Sequence, residues 1–478
     1  MNLRSLWSLA LVLPAFAMVG AAQNCAPLEM SITDNGPSLS AGEPEIAINP
    51  RNPDNLFMDW ATFLVPVPPS LVGTAPPNSC GGKVSMDRGK TWQVSNLPFP
   101  QQSNLVFSEC ADGVAAFGPD GTLYAGGDAA NAFSVVGFPP NCPPGSVPNG
   151  PVCVRVQGND PFARSTDGGS TWTPLPYPLG SPAWCPACVF APGSGHPFDV
   201  FDRPWVAVDQ STDIVYFSAR NIQTAGIQER FVTASMDHGD SFEPIYAIDG
   251  PPYPQIDGDS NIAVVDGVLA EAYVAGPAPG GCSAACLIFE TSTDFGATWD
   301  RHVVPLVGAA STPRPFLAAN PLGHGKKFAL TVFDSTGTQN QVYTTSDGGV
   351  TWQGPALVSE SPANPHFKPW LSSGPVGQLV LVWRTWHGAP NDPATPYDVW
   401  AAIGVEAGAK GPVFSAPRRV SSVAAPFGTG GGGDDFSFIV SDDQFVHVGW
   451  GDSRSGATQV WYSRIPLVSF LGPAFTGP

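Results

Sequence analysis

The chain has 478 residues and a formal charge of −19, with 13% charged residues, 53 Gly, 53 Pro, 14 Trp and 28 Phe. Gly and Pro at that density exclude long helices, whose interiors reject both, and many aromatics with sparse charge exclude a disordered chain. The acidity excludes a broadly basic nucleic-acid-binding surface, which leaves a large all-β protein of short strands and turns.

In chain order, Arg4 precedes an apolar run from Leu6 to Val19 that ends in Gly20, Ala21 and Ala22, the layout of a secretory signal with its cleavage site. Residues 1–22 are expected to be removed, leaving 23–478 as a single exported domain, secreted or periplasmic. A lipid anchor on Cys25 is the competing reading, and Asn24 immediately before it argues against lipidation. No later run reaches the roughly 18 apolar residues that a membrane-spanning helix needs.

Beyond the signal the sequence repeats. An apolar strand, a short polar turn and a second strand recur seven times, over 44–61 (PEIAINPRNPDNLFMDWA), 113–129, 203–220, 261–276, 314–334, 368–385 and 434–452. Five of these are followed by a second pattern, Ser/Thr-x-Asp-x-Gly-x-Thr/Ser-aromatic: SMDRGKTW from Ser85, STDGGSTW from Ser165, SMDHGDSF from Ser235, STDFGATW from Ser292 and TSDGGVTW from Thr345. The last two repeats are followed instead by the strands YDVWAAIGV and TQVWYSRI. The final unit lacks an outer strand, which LEMSIT at 28–33 can supply to close a ring. Within each turn, Asp87, Asp167, Asp237, Asp294 or Asp347 can accept backbone hydrogen bonds, the Gly can take positive φ, and the aromatic can pack between sheets. These Asp residues are read as structural.

The five turns resemble the Asp-box, or BNR repeat, of the sialidase superfamily and related secreted β-propellers. The resemblance implies an all-β propeller of four-stranded antiparallel blades. Seven repeats at about 65 residues each favour seven blades, with six as the alternative because sialidases are six-bladed. In such a blade the Asp-box turns share one face with the turns between strands one and two. The opposite face receives the insertions: Asp128 to Phe162, Gly180 to Val200 and WHGAPNDPATPY. Long loops gathered on one face of a rigid scaffold are where binding sites are built. Export makes disulfides the default for the nine cysteines, with Cys142–Cys153, Cys185–Cys188, Cys282–Cys286 and Cys80–Cys110 as candidate pairs and Cys25 left over. The CPAC at Cys185 reads as a loop staple rather than a redox or zinc motif.

Residues just before each innermost strand are expected to ring the channel mouth on the elaborated face: Glu45, Asp112, Asp202 with Arg203, Asp259, Arg314, Lys368, and Asp434 with Asp435. Sialidases bind a substrate carboxylate with three arginines and use a Tyr nucleophile, a Glu and an Asp acid/base. Carried onto this chain, that implies Tyr253 as nucleophile, Asp202 and Asp259 as acids, and Arg203, Arg314, Lys368 and Arg454 as cationic contacts, with Trp386 and Trp184 stacking on sugar. The match is incomplete, since Pro follows Arg203 and Arg314 directly and no Glu partners Tyr253. His196, His366 and His387 fall in loops of the same face, and His238 inside an Asp-box turn, without metal spacing. No cofactor or metal is expected; calcium on Asp257, Asp259 and Asn261 is the alternative, and the run lacks the Gly and Glu of an EF-hand. The expected function is binding, with hydrolysis as an extension, of an extracellular glycan or glycoprotein by a monomer without nucleic-acid partners; the alternative is a non-catalytic carbohydrate- or protein-binding propeller.

Overall fold

The computed structural model describes residues 27–33, 39–64, 81–97, 105–135, 141–143, 147–149, 152–179, 183–184, 201–221, 230–248, 250–257, 261–309, 314–406, 411–426 and 436–470. The expected signal segment and Cys25 lie outside them. The strands form seven antiparallel blades around a central axis. Blade 1 runs Leu39–Ile48, Leu56–Leu64, Gly81–Ser85, Gln93–Val94, and blade 2 runs Leu105–Phe117, Leu123–Val135, Phe162–Ser165, Thr173–Pro174. Blade 3 comprises Phe201–Val208, Val215–Asn221, Arg230–Ser235 and Tyr246–Ala247. Blade 4 comprises Ala263–Val265, Val268–Ala275, Cys286–Ser292 and Asp300–Val303, with Gln255–Asp257 pairing further along its second strand. Blade 5 is Phe316–Ala319, Phe328–Phe333, Asn340–Thr345 and Gln353–Val358; blade 6 is His366–Ser373, Leu379–Trp386, Pro396–Glu406 and Pro412–Phe414.

Blade 7 has Ser437–Ser441, Phe445–Asp452 and Gln459–Pro466, and its fourth strand is Leu28–Ser31 from the other end of the chain, paired Leu28 to Arg464 and Ser31 to Trp461. The ring is therefore closed by hydrogen bonds between distant segments, as the missing strand predicts. The insertion between Asp128 and Phe162 is not an open loop. Leu123–Val135 continues into a ladder with Val152–Asn159, which also pairs with Val147–Asn149 and Ala183–Trp184. A long excursion of backbone can satisfy its polar groups by pairing with itself, and an alternating, β-branched segment does so as strand.

The five repeated turns share one hydrogen-bond pattern. Asp87 Oδ1 accepts the backbone N–H of Lys90 and Thr91 at 3.0 and 2.8 Å, Oδ2 accepts the Thr91 hydroxyl at 2.7 Å, and Ser85 Oγ donates to Oδ1 at 2.9 Å. Asp167, Asp237, Asp294 and Asp347 repeat the hydroxyl and N–H contacts from the residue four positions on. Gly89 sits at φ 77°, and a Cβ there would fall 1.9 Å from Tyr462 Oη in blade 7, so both conformation and space demand glycine. The turn aromatics wedge between blades: Trp92 against Tyr462, Trp172 against Phe57 and Trp352 against Phe289, each with ring centroids 5.1 Å apart.

Candidate functional site

At the end of the ring opposite these turns, the register between first and second strands slips in each of blades 1, 2, 3 and 6, and blade 2 has a further slip between Leu105 and Phe107. The shared slips lie between Gly42 and Glu45, Ala111 and Val114, Asp202 and Trp205, and Phe367 and Trp370. Each of these contains one charged residue in the left-handed region, followed by Pro or Gly: Glu43 at φ 51°, Asp112 at 45°, Arg203 at 56° and Lys368 at 50°. Left-handed backbone costs an ordinary residue about 1–2 kcal/mol, and bulges that carry it re-aim side chains. Asp112, Arg203 and Lys368 each sit in the bulge of their own blade. In blade 1 the left-handed residue of the bulge is Glu43, 4% exposed, two positions before Glu45, which is 7% exposed. The sequence signal for Glu43 is the dipeptide itself, Glu-Pro in line with Arg-Pro, Lys-Pro and Asp-Gly. Arg314 is exposed directly ahead of the first strand of blade 5. Asp259, Asp434 and Asp435 lie outside the described residues, and Asp202 is described in its backbone alone.

The ring is electrostatically knit. Glu43 Oε2 accepts the Asp112 N–H at 3.2 Å, Arg203 Nη1 lies 3.5 Å from Asp112 Oδ1, and the Arg203 guanidinium sits 4.7 Å above the Phe436 ring. Behind it, Arg230 donates to the Arg203 carbonyl at 3.3 Å and pairs with Glu271 at 3.1 Å, both side chains fully buried. Beneath the ring, aromatics of blades 3, 5, 6 and 7 meet across the axis: Trp205 and Trp370 at 5.2 Å, Phe316 and Trp370 at 4.8 Å, Trp370 and Phe438 at 4.4 Å. They close the channel at this end. A cavity of about 10 Å³ remains between plug and ring, lined by Glu43, Glu45, Asp112, Trp205, Phe436 and Phe438 among others. Glu45 faces Asp59 across the ladder, both buried. Burial, and for Glu45 also the Asp59 charge, pushes both carboxyls well above the usual range.

The remaining candidates are dispersed. Arg454 lies on the outer part of blade 7, held at 2.6 Å by both Glu29 and Asp452 and 4.0 Å over Trp461. Tyr253 belongs to the connection before blade 4, packed with Cys282 and Cys286, and its carbonyl accepts the Tyr273 hydroxyl. Trp386, expected as a stacking surface, is 2% exposed and stacks on Phe367 at 4.1 Å, because its strand alternation directs it inward. His366 begins a strand rather than a loop and is buried against Asn340, Ser359 and Glu360. His387 bonds Asp398 at 2.7 Å. Asn261 clamps blade 5, donating to Leu317 O and accepting from Leu317 N at 2.8 Å, so its amide is committed to the fold rather than to calcium. Cys142 pairs with Cys153 and Cys282 with Cys286, as anticipated. Cys80, Cys185 and Cys188 lie outside the described residues, and Cys110 is described in its backbone alone.

The other end of the axis opens into a cavity of about 700 Å³ lined by apolar side chains together with Glu45, Asn49, Ser372 and Ser373, and by Asp209, Asp266, Asp442 and Asp443. Asp209 and Asp442 are turn residues bonded to their own loops. On the same face Asp120, Asp213 and His238 bring three donor atoms within 4.8 Å of one another between blades 2 and 3. His238 Nδ1 lies 3.2 Å from Tyr124 Oη. Repeat spacing could not reveal this trio, because its members come from adjacent blades.

No family model and no curated protein matches the chain. Among solved structures it is similar to a protein of unknown function from Dyadobacter fermentans, at 14% identity over 92% of this chain and 97% of that one, TM-score 0.47. It is also similar to a Hadza microbial sialidase (16% identity, 82% and 73% covered, TM-score 0.43). A third is an α-L-arabinofuranosidase from Fusarium graminearum (13%, 78% and 96%, TM-score 0.38).

Proposed function

We propose that this chain is an exported propeller that binds an extracellular glycan or glycoprotein at the charged mouth opposite its five Asp-box turns, with binding rather than hydrolysis as its activity. One observation carries the reading: four blades place a strained, charged residue at the same bulge, around the same aromatic plug. Strain repeated at equivalent positions and pointed at one end of the axis serves a ligand better than it serves stability. A ring of both signs over aromatics suits hydroxyl-rich ligands, whose OH groups donate and accept while ring C–H faces cover apolar surface. Binding is favoured over sialidase chemistry because Arg454 is taken up by Glu29 and Asp452, and Tyr253 is packed against the disulfide of its own blade.

The test is a panel of sialylated and neutral glycans, read for retention and for released sugar, with the wild type and with Arg203→Ala and Lys368→Ala. Retention without release, weakened in both variants, supports the proposal. Retention unchanged in both variants moves the site elsewhere. Hydrolysis is the second reading, favoured by the buried Glu45–Asp59 pair, whose Glu45 lines the cavity, and released sugar that disappears in Glu45→Gln would establish it.

A further inference from the structure

Resting on that reading, we propose that the cavity under the ring receives a primary ammonium group, so that the ligand bound at the mouth is a glycan carrying an unacetylated amino sugar. Three observations converge. Glu43, Glu45 and Asp112 line the cavity, and its remaining walls include Trp205, Phe436 and Phe438, the acid-plus-aromatic surroundings that hold organic cations. Glu45 Oε2, on a side chain only 7% exposed, has no hydrogen-bond partner, and a buried carboxylate oxygen left in that state is costly unless a donor arrives. The cavity's volume, about 10 Å³, is that of one water-sized group, which an –NH₃⁺ matches and an acetamide exceeds.

A metal ion fits less well. Among the described residues the carboxylates of this cavity are not grouped within ligand distance of one another, whereas Asp120, Asp213 and His238 are. Around Glu45, Asp59 lies opposite on the adjacent strand, Glu43 and Asp112 line the same small cavity, and the larger cavity that Glu45 also lines carries Asp209, Asp266, Asp442 and Asp443; Arg203 is engaged with Asp112 and Phe436. Burial raises the proton affinity of Glu45, in keeping with an Oε2 that has no donor.

The experiment is isothermal titration of the full chain with a chitosan tetrasaccharide, a chitin tetrasaccharide and an acetylated lysine amide. The expected result is saturable binding of chitosan, no saturation by chitin, and a loss of roughly thirtyfold or more in Glu45→Gln, the penalty typical of removing one partner of a buried charged contact. Chitin and chitosan binding equally would leave glycan recognition standing and overturn the ammonium site. Lysine amide binding that depends on Glu45, without either glycan, would keep the ammonium site and overturn the glycan reading.

Discussion

Asp237 accepts hydrogen bonds from the Ser241 hydroxyl and N–H and from Ser235, which hold its carboxyl down to about 2. Asp294 is lowered chiefly by Thr298, and in Asp87, Asp167 and Asp347 the same bonds outweigh a burial effect that acts to raise them. A depressed native pKa contributes stability above the unfolded value, about 3.9 for Asp, and that contribution is lost as pH falls through the native value. Melting temperature should therefore drop between about pH 4 and pH 2. Asp237→Asn should flatten part of that slope, and an unchanged slope would mean that the turns do not govern acid stability. Glu45 and Asp59 have the opposite sign. Their raised pKa values mean that whatever stability they contribute is present at low pH and lost as pH rises through the native values, so at neutral pH they burden the fold. Asp59→Asn is expected to raise the urea midpoint at pH 7.5, with the gain shrinking toward pH 4.5. A lower midpoint at pH 7.5 would show that the carboxylate is stabilising instead.

At the scale of the element, the closing strand Leu28–Ser31 is the junction on which the ring depends. Its Glu29 also accepts hydrogen bonds from Ser422 and Arg454, and so ties the strand to blades 6 and 7. Removing residues 23–33 should lower the melting temperature sharply and broaden the transition, because blade 7 then exposes the unpaired edge of Gln459–Pro466. Arg454→Ala should cost about 1–3 kcal/mol by urea denaturation, the range for hydrogen-bonded charged groups of this exposure. Glycan retention should be unchanged in that variant, in contrast to Arg203→Ala; retention lost with Arg454 would place the ligand at the rim of blade 7. Among the described residues, the bridges Cys142–Cys153 in the extension of blade 2 and Cys282–Cys286 in blade 4 each close a short connection within one blade. They stiffen those excursions without fastening the ring.

For the whole molecule, the charge of −19 acts as self-repulsion distributed over seven blades. Raising NaCl from 10 mM to 300 mM shortens the screening length from about 30 Å to less than 10 Å, so melting temperature should rise with salt at pH 7.5. A fall would indicate that specific surface ion pairs outweigh the net repulsion. Beneath the charged mouth the axis is shut by Trp205, Phe316, Trp370, Phe436 and Phe438, while the opposite end is open. The two faces are thus chemically distinct.

The repeats made the fold legible because a blade is a local object: strand, turn and aromatic lie within some tens of residues, and the period exposes them. The outer strand drawn from 28–33 was legible for the same reason, by its absence from the last unit. The hydrogen-bonding role of the turn aspartates also follows from order along the chain. What convergence does is not local. Glu43 takes the left-handed bulge position two residues before Glu45 because the strand slips phase there, and only register shows where the slip occurs. Arg454 and Trp386 bear plausible chemistry in sequence, yet one is claimed by an acid 425 residues away and the other by a buried stack. The sequence alone determined the repeat, the ring and which end carries elaboration. Tertiary structure decided which charges meet, since that depends on contacts between blades that the period of the repeat does not encode.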